Sequence, residues 1–129
     1  HPTEMTADLE AMRAAVGDAR ILVLFQPHLF SRTQELGKEM GQALNLADAS
    51  AVLDIYPARE DPIPGITSDL IVEAARAAGA DVTPVHDKQE APAVVAGMAK
   101  AGDLVLTMGA GDVTDLGPRI LDELSSKAK

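Results

Sequence analysis

Two hydrophobic patterns alternate along the chain. Four short, mainly apolar runs occur at residues 21–25, 51–56, 81–86 and 103–107. A segment with apolar residues at helical spacing precedes the first run, over residues 3–16, and similar segments follow each of the runs. Short apolar runs are typical of buried strands, and apolar residues three or four positions apart are typical of helices. The pattern therefore predicts a helix followed by four strand–helix units in a single α/β domain, with a mainly parallel sheet covered by helices on both faces.

Turn and capping residues place the boundaries of these elements. Ser31 and Gln34 form a capping-box pattern, which predicts that the second helix starts at Ser31. Thr67 is placed to cap the third helix. Pro84 lies in the third run, and this strand is expected near a sheet edge because proline cannot donate a hydrogen bond to a neighbouring strand. The tail, residues 125–129, is expected to fray.

Composition narrows the class of protein. The chain has 129 residues, 47% of them hydrophobic, which is enough for one core. A formal net charge of −9 argues against non-specific binding to nucleic acid or to an acidic membrane surface. The chain has no cysteine, and no apolar run approaches the roughly 20 residues of a membrane helix, so a cytoplasmic protein is expected. Because it begins at His1, inside what reads as a motif, the chain is expected to be a piece of a longer protein.

Polar residues and glycines follow each predicted strand. Right-handed crossovers place all four strand-to-helix turns of a parallel sheet at the same edge. In a Rossmann-like three-layer sandwich of this kind, ligands bind at that edge. The residues that converge there are His28, Arg32, Arg59, Glu60, His86, Asp87, Gly109, Gly111 and Asp112.

The first two turns carry the strongest candidates. His28 and Arg32 lie at the start of the second helix, where a planar guanidinium suits a carboxylate or a phosphate. The alternative is a solvated turn in which Arg32 pairs with a local acid. Arg59 and Glu60 lie on a loop stiffened by three prolines and are interpreted either as substrate contacts or as a surface ion pair.

The remaining candidates each have a structural alternative. Asp54 is interpreted as a buried carboxylate within the second strand, which either orients a group at the edge or satisfies amides of a neighbouring loop. The amides around Gly109 and Gly111 either approach an anion or only form a tight turn. His86 is interpreted as an exposed or structural histidine. The three histidines show no metal-ligand spacing, so no metal site is predicted.

Complete catalytic motifs are missing from the sequence. It contains no phosphate-binding G-x-x-x-x-G-K-[ST] loop and no G-x-S-x-G nucleophile elbow. The glycines at 109 and 111 lack the third glycine of the dinucleotide-binding pattern, which disfavours an oxidoreductase domain. The domain alone is therefore expected to be inactive.

Four motifs together resemble the C-terminal domain of the Mur ligases, the family that builds the peptide of peptidoglycan. They are His-Pro-Thr-Glu at 1–4, Phe-Gln-Pro-His-x-x-x-Arg-Thr at 25–33, Asp-x-Tyr-Pro-Ala-Arg-Glu-x-Pro-Ile-Pro-Gly at 54–65 and Thr-Met-Gly-Ala-Gly-Asp at 107–112. The resemblance covers essentially the whole chain. The second motif is the most specific, and it resembles the branch that adds L-alanine.

The resemblance implies a three-domain enzyme. Its first domain would hold UDP-N-acetylmuramate, its central domain ATP and Mg²⁺, and this third domain would close over the site and position L-alanine. The implied reaction is an ATP-driven amide ligation through an acyl phosphate. No cofactor is expected on this chain itself, and its partners would be the two substrates and its own other domains, not nucleic acid or a membrane.

The resemblance also implies roles for individual residues. Arg32 would hold a substrate carboxylate with His28 beside it, and the loop around Arg59 and the turn at 109–112 would line the same pocket. Further candidates in the same motifs are His1, Asp54 and Tyr56. The chain departs from the family at Leu29, where relatives often have arginine, and it lacks the Tyr-x-His that precedes the first motif.

Two alternatives to the alanine-adding branch stay open. One is the related ligase that reattaches recycled murein tripeptide, whose relatives usually carry a different residue pair in place of Gln26 and His28. The other is a Rossmann-like binding module with no chemistry of its own.

Overall fold

The structure is a computed structural model that describes residues 1–109 and 111–128. The helices are α1 (Pro2–Val16), α2 (Phe30–Ala43), α3 (Asp69–Ala77), α4 (Ala91–Met98) and α5 (Leu116–Ala128). The strands are β1 (Ile21–Gln26), β2 (Ala49–Leu53), β3 (Val82–Val85) and β4 (Leu104–Gly109). Short 3-10 turns lie at Leu44–Leu46, Lys88–Glu90 and Val113–Asp115. The predicted order of helices and strands is confirmed.

The four strands form one parallel sheet in the order β3-β2-β1-β4. β3 lies at an edge, as Pro84 predicted. The strands end at Gln26, Leu53, Val85 and Gly109, and because they are parallel these ends share one side of the sheet, which we call the carboxyl edge.

Helices cover both faces of the sheet, as the strand pattern predicted. Alternate residues of β1 point to opposite faces, and all six are buried. On one face α1, α2 and α3 pack with Ile21, Val23 and Phe25 of β1. On the other face α4 and α5 pack with Leu24 of β1 and Leu53 of β2. The Rossmann-like three-layer sandwich is confirmed. None of the described helices has both the length and the apolar character needed to cross a bilayer.

Helices α2 and α3 approach each other closely at Gly41. A Cβ atom added there would lie 2.5 Å from the carbonyl oxygen of Ile71, and 2.8 Å from both Ala74 Cβ and the backbone nitrogen of Ala75. The backbone of α3 therefore occupies the space that a side chain at position 41 would need.

Three predicted boundaries need correction. The second strand ends at Leu53 rather than at residue 56. The capping box at Ser31 is wrong, because α2 begins at Phe30 and its N-cap is Leu29, which makes no side-chain capping bond. Fraying of the tail is wrong for residues 125–128, which continue α5, and Lys129 lies outside the described residues.

Side-chain hydrogen bonds are made at the end of α5 and at the start of α3. Lys127 Nζ donates to the carbonyl oxygens of Ala96 and Ala99, at 2.9 and 2.7 Å, and so fixes the end of α5 against α4. Thr67 Oγ1 accepts a hydrogen bond from the Asp69 amide at 3.1 Å, so Thr67 does serve the start of α3, although the N-cap residue is Ser68.

Candidate functional site at the carboxyl edge

The turn between β1 and α2 is joined by its backbone to the loop that follows β2. The Leu29 amide donates to the Tyr56 carbonyl oxygen at 2.9 Å, and the Tyr56 amide donates to the Pro27 carbonyl oxygen at 2.8 Å. Leu29 has φ +72°, a conformation that costs a non-glycine residue free energy. Thr33 Oγ1 donates to the Leu29 carbonyl oxygen at 3.0 Å and helps to hold it there. These hydrogen bonds therefore fix the backbone positions from which the side chains of this turn extend.

A cleft of about 370 Å³ opens at the carboxyl edge between α1, the β1–α2 turn and β4, and we call it the edge cleft. Its polar lining residues are His1, Glu4 and Asp8 from the start of α1, Gln26, His28 and Arg32 from the β1–α2 segment, and Thr107 from β4. This volume is near the lower end of the range for small-molecule sites. The cleft therefore suits a small polar ligand.

The charges in the edge cleft are of both signs. Arg32 is exposed there, and no carboxylate in residues 1–109 and 111–128 forms an ion pair with it. The alternative in which Arg32 pairs with a local acid is therefore wrong for the described residues. Glu4 and Asp8, one helical turn apart on α1, line the same cleft. A guanidinium and two carboxylates around one small space suit a ligand that carries both a carboxylate and an amine.

The Tyr56 ring lies close to residues from three other turns of the carboxyl edge. Its ring centroid is 6.1 Å from that of His28, and Lys88 Nζ lies 5.7 Å from the Tyr56 ring centroid. A Cβ added to Gly111 would lie 2.7 Å from Tyr56 Cδ2, so only glycine fits against this ring. Tyr56 therefore packs where the turns that follow β1, β3 and β4 meet.

The glycine turn after β4 is held from both sides. Gly109 has φ +113°, and a Cβ there would lie 2.0 Å from the carbonyl oxygen of Gln26. Asp112 forms an ion pair with Lys88, and the hydrogen bond from Lys88 lowers the pKa of Asp112 below its ordinary value. Ala110, between them, lies outside the described residues.

Glu60 ties its proline-rich loop to α2. Its carboxylate accepts hydrogen bonds from the hydroxyl of Ser31 and from the Ser31 amide, the latter at 2.9 Å. These bonds lower the pKa of Glu60. No ion pair between Arg59 and Glu60 forms within the described residues, so that interpretation is wrong, and Arg59 lies outside the lining of the edge cleft.

Asp54 is exposed, so the interpretation of a buried strand carboxylate is wrong. β2 ends one residue earlier, and 58% of the Asp54 side chain is accessible. Its Oδ1 lies 2.7 Å from Nδ1 of His86, beside a second pocket of about 400 Å³ that Thr67 and Ser68 also line. The hydrogen bond with Asp54 raises the pKa of His86, which is exposed as predicted.

We expect His86 to titrate above the ordinary histidine value of about 6.5 and to return towards it in Asp54→Asn. The raised value means that the pair stabilises the folded chain at low pH, and that this contribution is lost as the pH rises through the pKa of the folded state. The measurement is an NMR titration of the His86 ring protons, with Asp69→Asn as the control for a weaker, more distant charge. A His86 pKa at or below 6.5 in the unsubstituted chain would contradict the pairing.

Sequence reasoning missed three residues that the structure places at this edge. Gln26 is a polar residue at the end of an otherwise apolar strand, and it lines the edge cleft. Lys88 follows the third strand by three residues, so it lies in one of the turns that were predicted to meet at the carboxyl edge. No pattern in the sequence indicated its ion pair with Asp112. Ser31 was interpreted as a cap, but its hydrogen-bond partner is Glu60, which lies 29 positions further along the chain.

Comparison with known proteins identifies the family. The model for the Mur ligase, glutamate ligase domain matches residues 1–111. The chain belongs to the Mur ligase family. Among curated proteins, the UDP-N-acetylmuramate–L-alanine ligase of Streptomyces coelicolor is 94% identical over 125 residues, which are 97% of this chain and 27% of that protein. The ligase of the same name from Cutibacterium acnes is 54% identical over 129 residues, 99% of this chain and again 27% of the relative. The chain thus spans about a quarter of the length of these Mur ligase relatives.

Solved structures agree on the Mur ligase fold. A UDP-N-acetylmuramate–alanine ligase from Thermotoga maritima superposes with a TM-score of 0.78 at 22% identity, covering 98% of this chain and 25% of that one. A domain from a UDP-N-acetylmuramate:L-alanyl-γ-D-glutamyl-diaminopimelate ligase of Haemophilus ducreyi, described as putative, superposes with a TM-score of 0.70 at 24% identity, covering 96% of this chain and 84% of that one. At these identities the likeness supports the fold alone.

Proposed function

We propose that this chain is the C-terminal, amino-acid-binding domain of a UDP-N-acetylmuramate–L-alanine ligase that acts in the cytoplasm in peptidoglycan synthesis. The observation that carries the proposal is the 94% identity, over 97% of the chain, to the Streptomyces coelicolor ligase of that name. The edge cleft supports it independently, because it is small and contains an arginine without a carboxylate partner among the described residues.

In the proposed reaction, the carboxylate of UDP-N-acetylmuramate takes the γ-phosphoryl group of ATP and forms an acyl phosphate with release of ADP. The amine of L-alanine then attacks the acyl carbon, loses a proton, and phosphate leaves as the amide forms. The contribution of this chain is positioning, since Arg32 would bind the alanine carboxylate with His28 beside it. Holding two reactants in one geometry supplies a large part of the rate enhancement in reactions of this kind.

ATP and Mg²⁺ are proposed to bind the other domains of the ligase. Within residues 1–109 and 111–128, the acidic and histidine side chains form no group of three that could hold a metal ion.

The test is ADP release by the ligase that contains this chain, with UDP-N-acetylmuramate and one of L-alanine, glycine, L-serine or murein tripeptide. We expect turnover with L-alanine, and none from the 129 residues alone, because the phosphate-binding loop is missing from them. Turnover only with tripeptide would transfer the assignment to the recycling ligase. No turnover with any of the four would overturn the proposed function and leave a binding domain of the Mur ligase fold.

A further inference from the structure

Two buried side-chain atoms lack a hydrogen-bond partner within the described residues, Gln26 Oε1 and Ser50 Oγ. Their surroundings differ. Gln26 ends β1, is 4% exposed and lines the edge cleft. Ser50 lies within β2, opposite Val23 and Val82 of the neighbouring strands, and is not part of the cleft.

An unpartnered buried carboxamide is unfavourable, because it has lost its bonds to water and gained none in return. Buried polar side chains in folded proteins nearly always find a partner, so an exception needs a cause. An apolar side chain of similar length would suit this position better if stability alone mattered. Gln26 also lines the edge cleft, so a ligand group there that donates a hydrogen bond would supply the missing partner once the carboxamide turns its oxygen towards it.

The cleft contains complementary groups for two ends of one small ligand. Arg32 can only donate hydrogen bonds, so it selects a carboxylate, whereas Gln26 Oε1 can only accept them, so it selects an N–H group. Both line a space of about 370 Å³, small enough to require a compact molecule. An α-amino acid presents both groups two bonds apart.

We propose that Gln26 positions the amine of the incoming amino acid, its Oε1 accepting a hydrogen bond from that amine while Arg32 binds the carboxylate. This inference rests on the proposed function and assigns a residue to its nucleophile. A neutral amide suits the task, because a carboxylate at the same place would stabilise the ammonium form, which has no lone pair with which to attack. Glu4 and Asp8 line the same cleft but are exposed on α1, where water weakens the effect of their charge on the amine.

The first test is Gln26→Leu in the ligase that contains this chain, with Ser50→Ala as the matched control. Both substitutions remove a buried atom without a partner, but only the first lies in the cleft. For Gln26→Leu we expect the KM for L-alanine to rise roughly 10- to 100-fold, the KM values for ATP and UDP-N-acetylmuramate to stay unchanged, and the melting temperature not to fall. For Ser50→Ala we expect all three KM values and the melting temperature to be kept. An unchanged KM for L-alanine in Gln26→Leu, or a lower melting temperature with all three KM values changed together, would overturn the assignment.

The second test uses the unsubstituted ligase and does not depend on turnover. The side-chain amide resonances of Gln26, identified by their loss in Gln26→Leu, are followed by NMR as ligands are added. We expect a shift with L-alanine and none with propionate, which has the carboxylate but no amine. No shift with any amino acid would overturn the inference. A shift with amino acids in a protein that releases no ADP with L-alanine would keep the role of Gln26 and reject the proposed function instead.

Discussion

Arg32→Ala in the ligase that contains this chain is expected to lower kcat/KM for L-alanine by roughly a hundredfold. Arg32 reaches the edge cleft without a carboxylate partner among the described residues, so its guanidinium is available for the carboxylate of a ligand. Removing it leaves that carboxylate without the guanidinium that would balance its charge in the edge cleft. The measurement is initial-rate kinetics with L-alanine as the varied substrate.

Two further variants separate charge, shape and general effects on the fold. Arg32→Lys keeps the charge but loses the planar fork, so we expect it to restore only part of the activity. Arg76→Ala removes an exposed arginine of α3 that reaches the carbonyl oxygen of Val82, at the start of β3 and so at the opposite edge of the sheet, and we expect normal kinetics. Near-normal activity of Arg32→Ala would remove Arg32 from the site, and an equal loss in Arg76→Ala would indicate a general loss of folded protein.

The large effect expected for Arg32→Ala depends on Leu29, the position at which this chain departs from the family pattern. The family resemblance implies an arginine at this position, which would be a second cation beside the cleft. Here Leu29 takes φ +72° at the N-cap of α2, held by the Tyr56 carbonyl oxygen and by Thr33. The turn therefore keeps its backbone contacts without that charge, and Arg32 is the only arginine that lines the edge cleft in the described part of the chain.

The architecture could be predicted from the sequence because its causes are local. Each strand is a short apolar run and each helix has a repeating apolar face, so element type follows from spacing. Parallel strands linked by helices then share one edge, which is why spacing and topology alone bring His28, Arg32 and Gly109 together. The edge position of β3 followed equally directly from Pro84.

The errors arose where long-range contacts outweigh local preference. Ser31 has the sequence of a cap, but Glu60 takes both its amide and its hydroxyl. Asp54 was predicted to be buried because apolar residues flank it, yet β2 ends at Leu53 and the carboxylate turns to His86. Such pairings depend on which loops meet across the carboxyl edge, and spacing along one chain carries no information about them.

Gly41→Ala is expected to destabilise the folded chain by about 2–3 kcal/mol, although alanine is the better helix former. A Cβ at position 41 would lie 2.5 Å from the carbonyl oxygen of Ile71, a backbone atom that cannot move aside without shifting α3. Ala74 and Ala75 lie against the same point, so α2 and α3 must separate. For a domain whose total stability is about 5–15 kcal/mol, this is a large fraction. The measurement is urea denaturation of the chain followed by circular dichroism.

Gly97→Ala and Gly37→Ala complete a series in which the chemical change is the same and only the surroundings differ. A Cβ at Gly97 of α4 would meet nothing within 4 Å, so we expect that variant to gain up to about 1 kcal/mol from helix propensity. At Gly37, one turn before Gly41 on α2, the nearest atom would be Thr33 Cγ2 at 3.4 Å, an ordinary contact, and we expect little change. The stabilities should therefore rank Gly97→Ala above Gly37→Ala, and Gly37→Ala well above Gly41→Ala. If Gly41→Ala were as stable as Gly97→Ala, α2 and α3 could not pack backbone to backbone at Gly41.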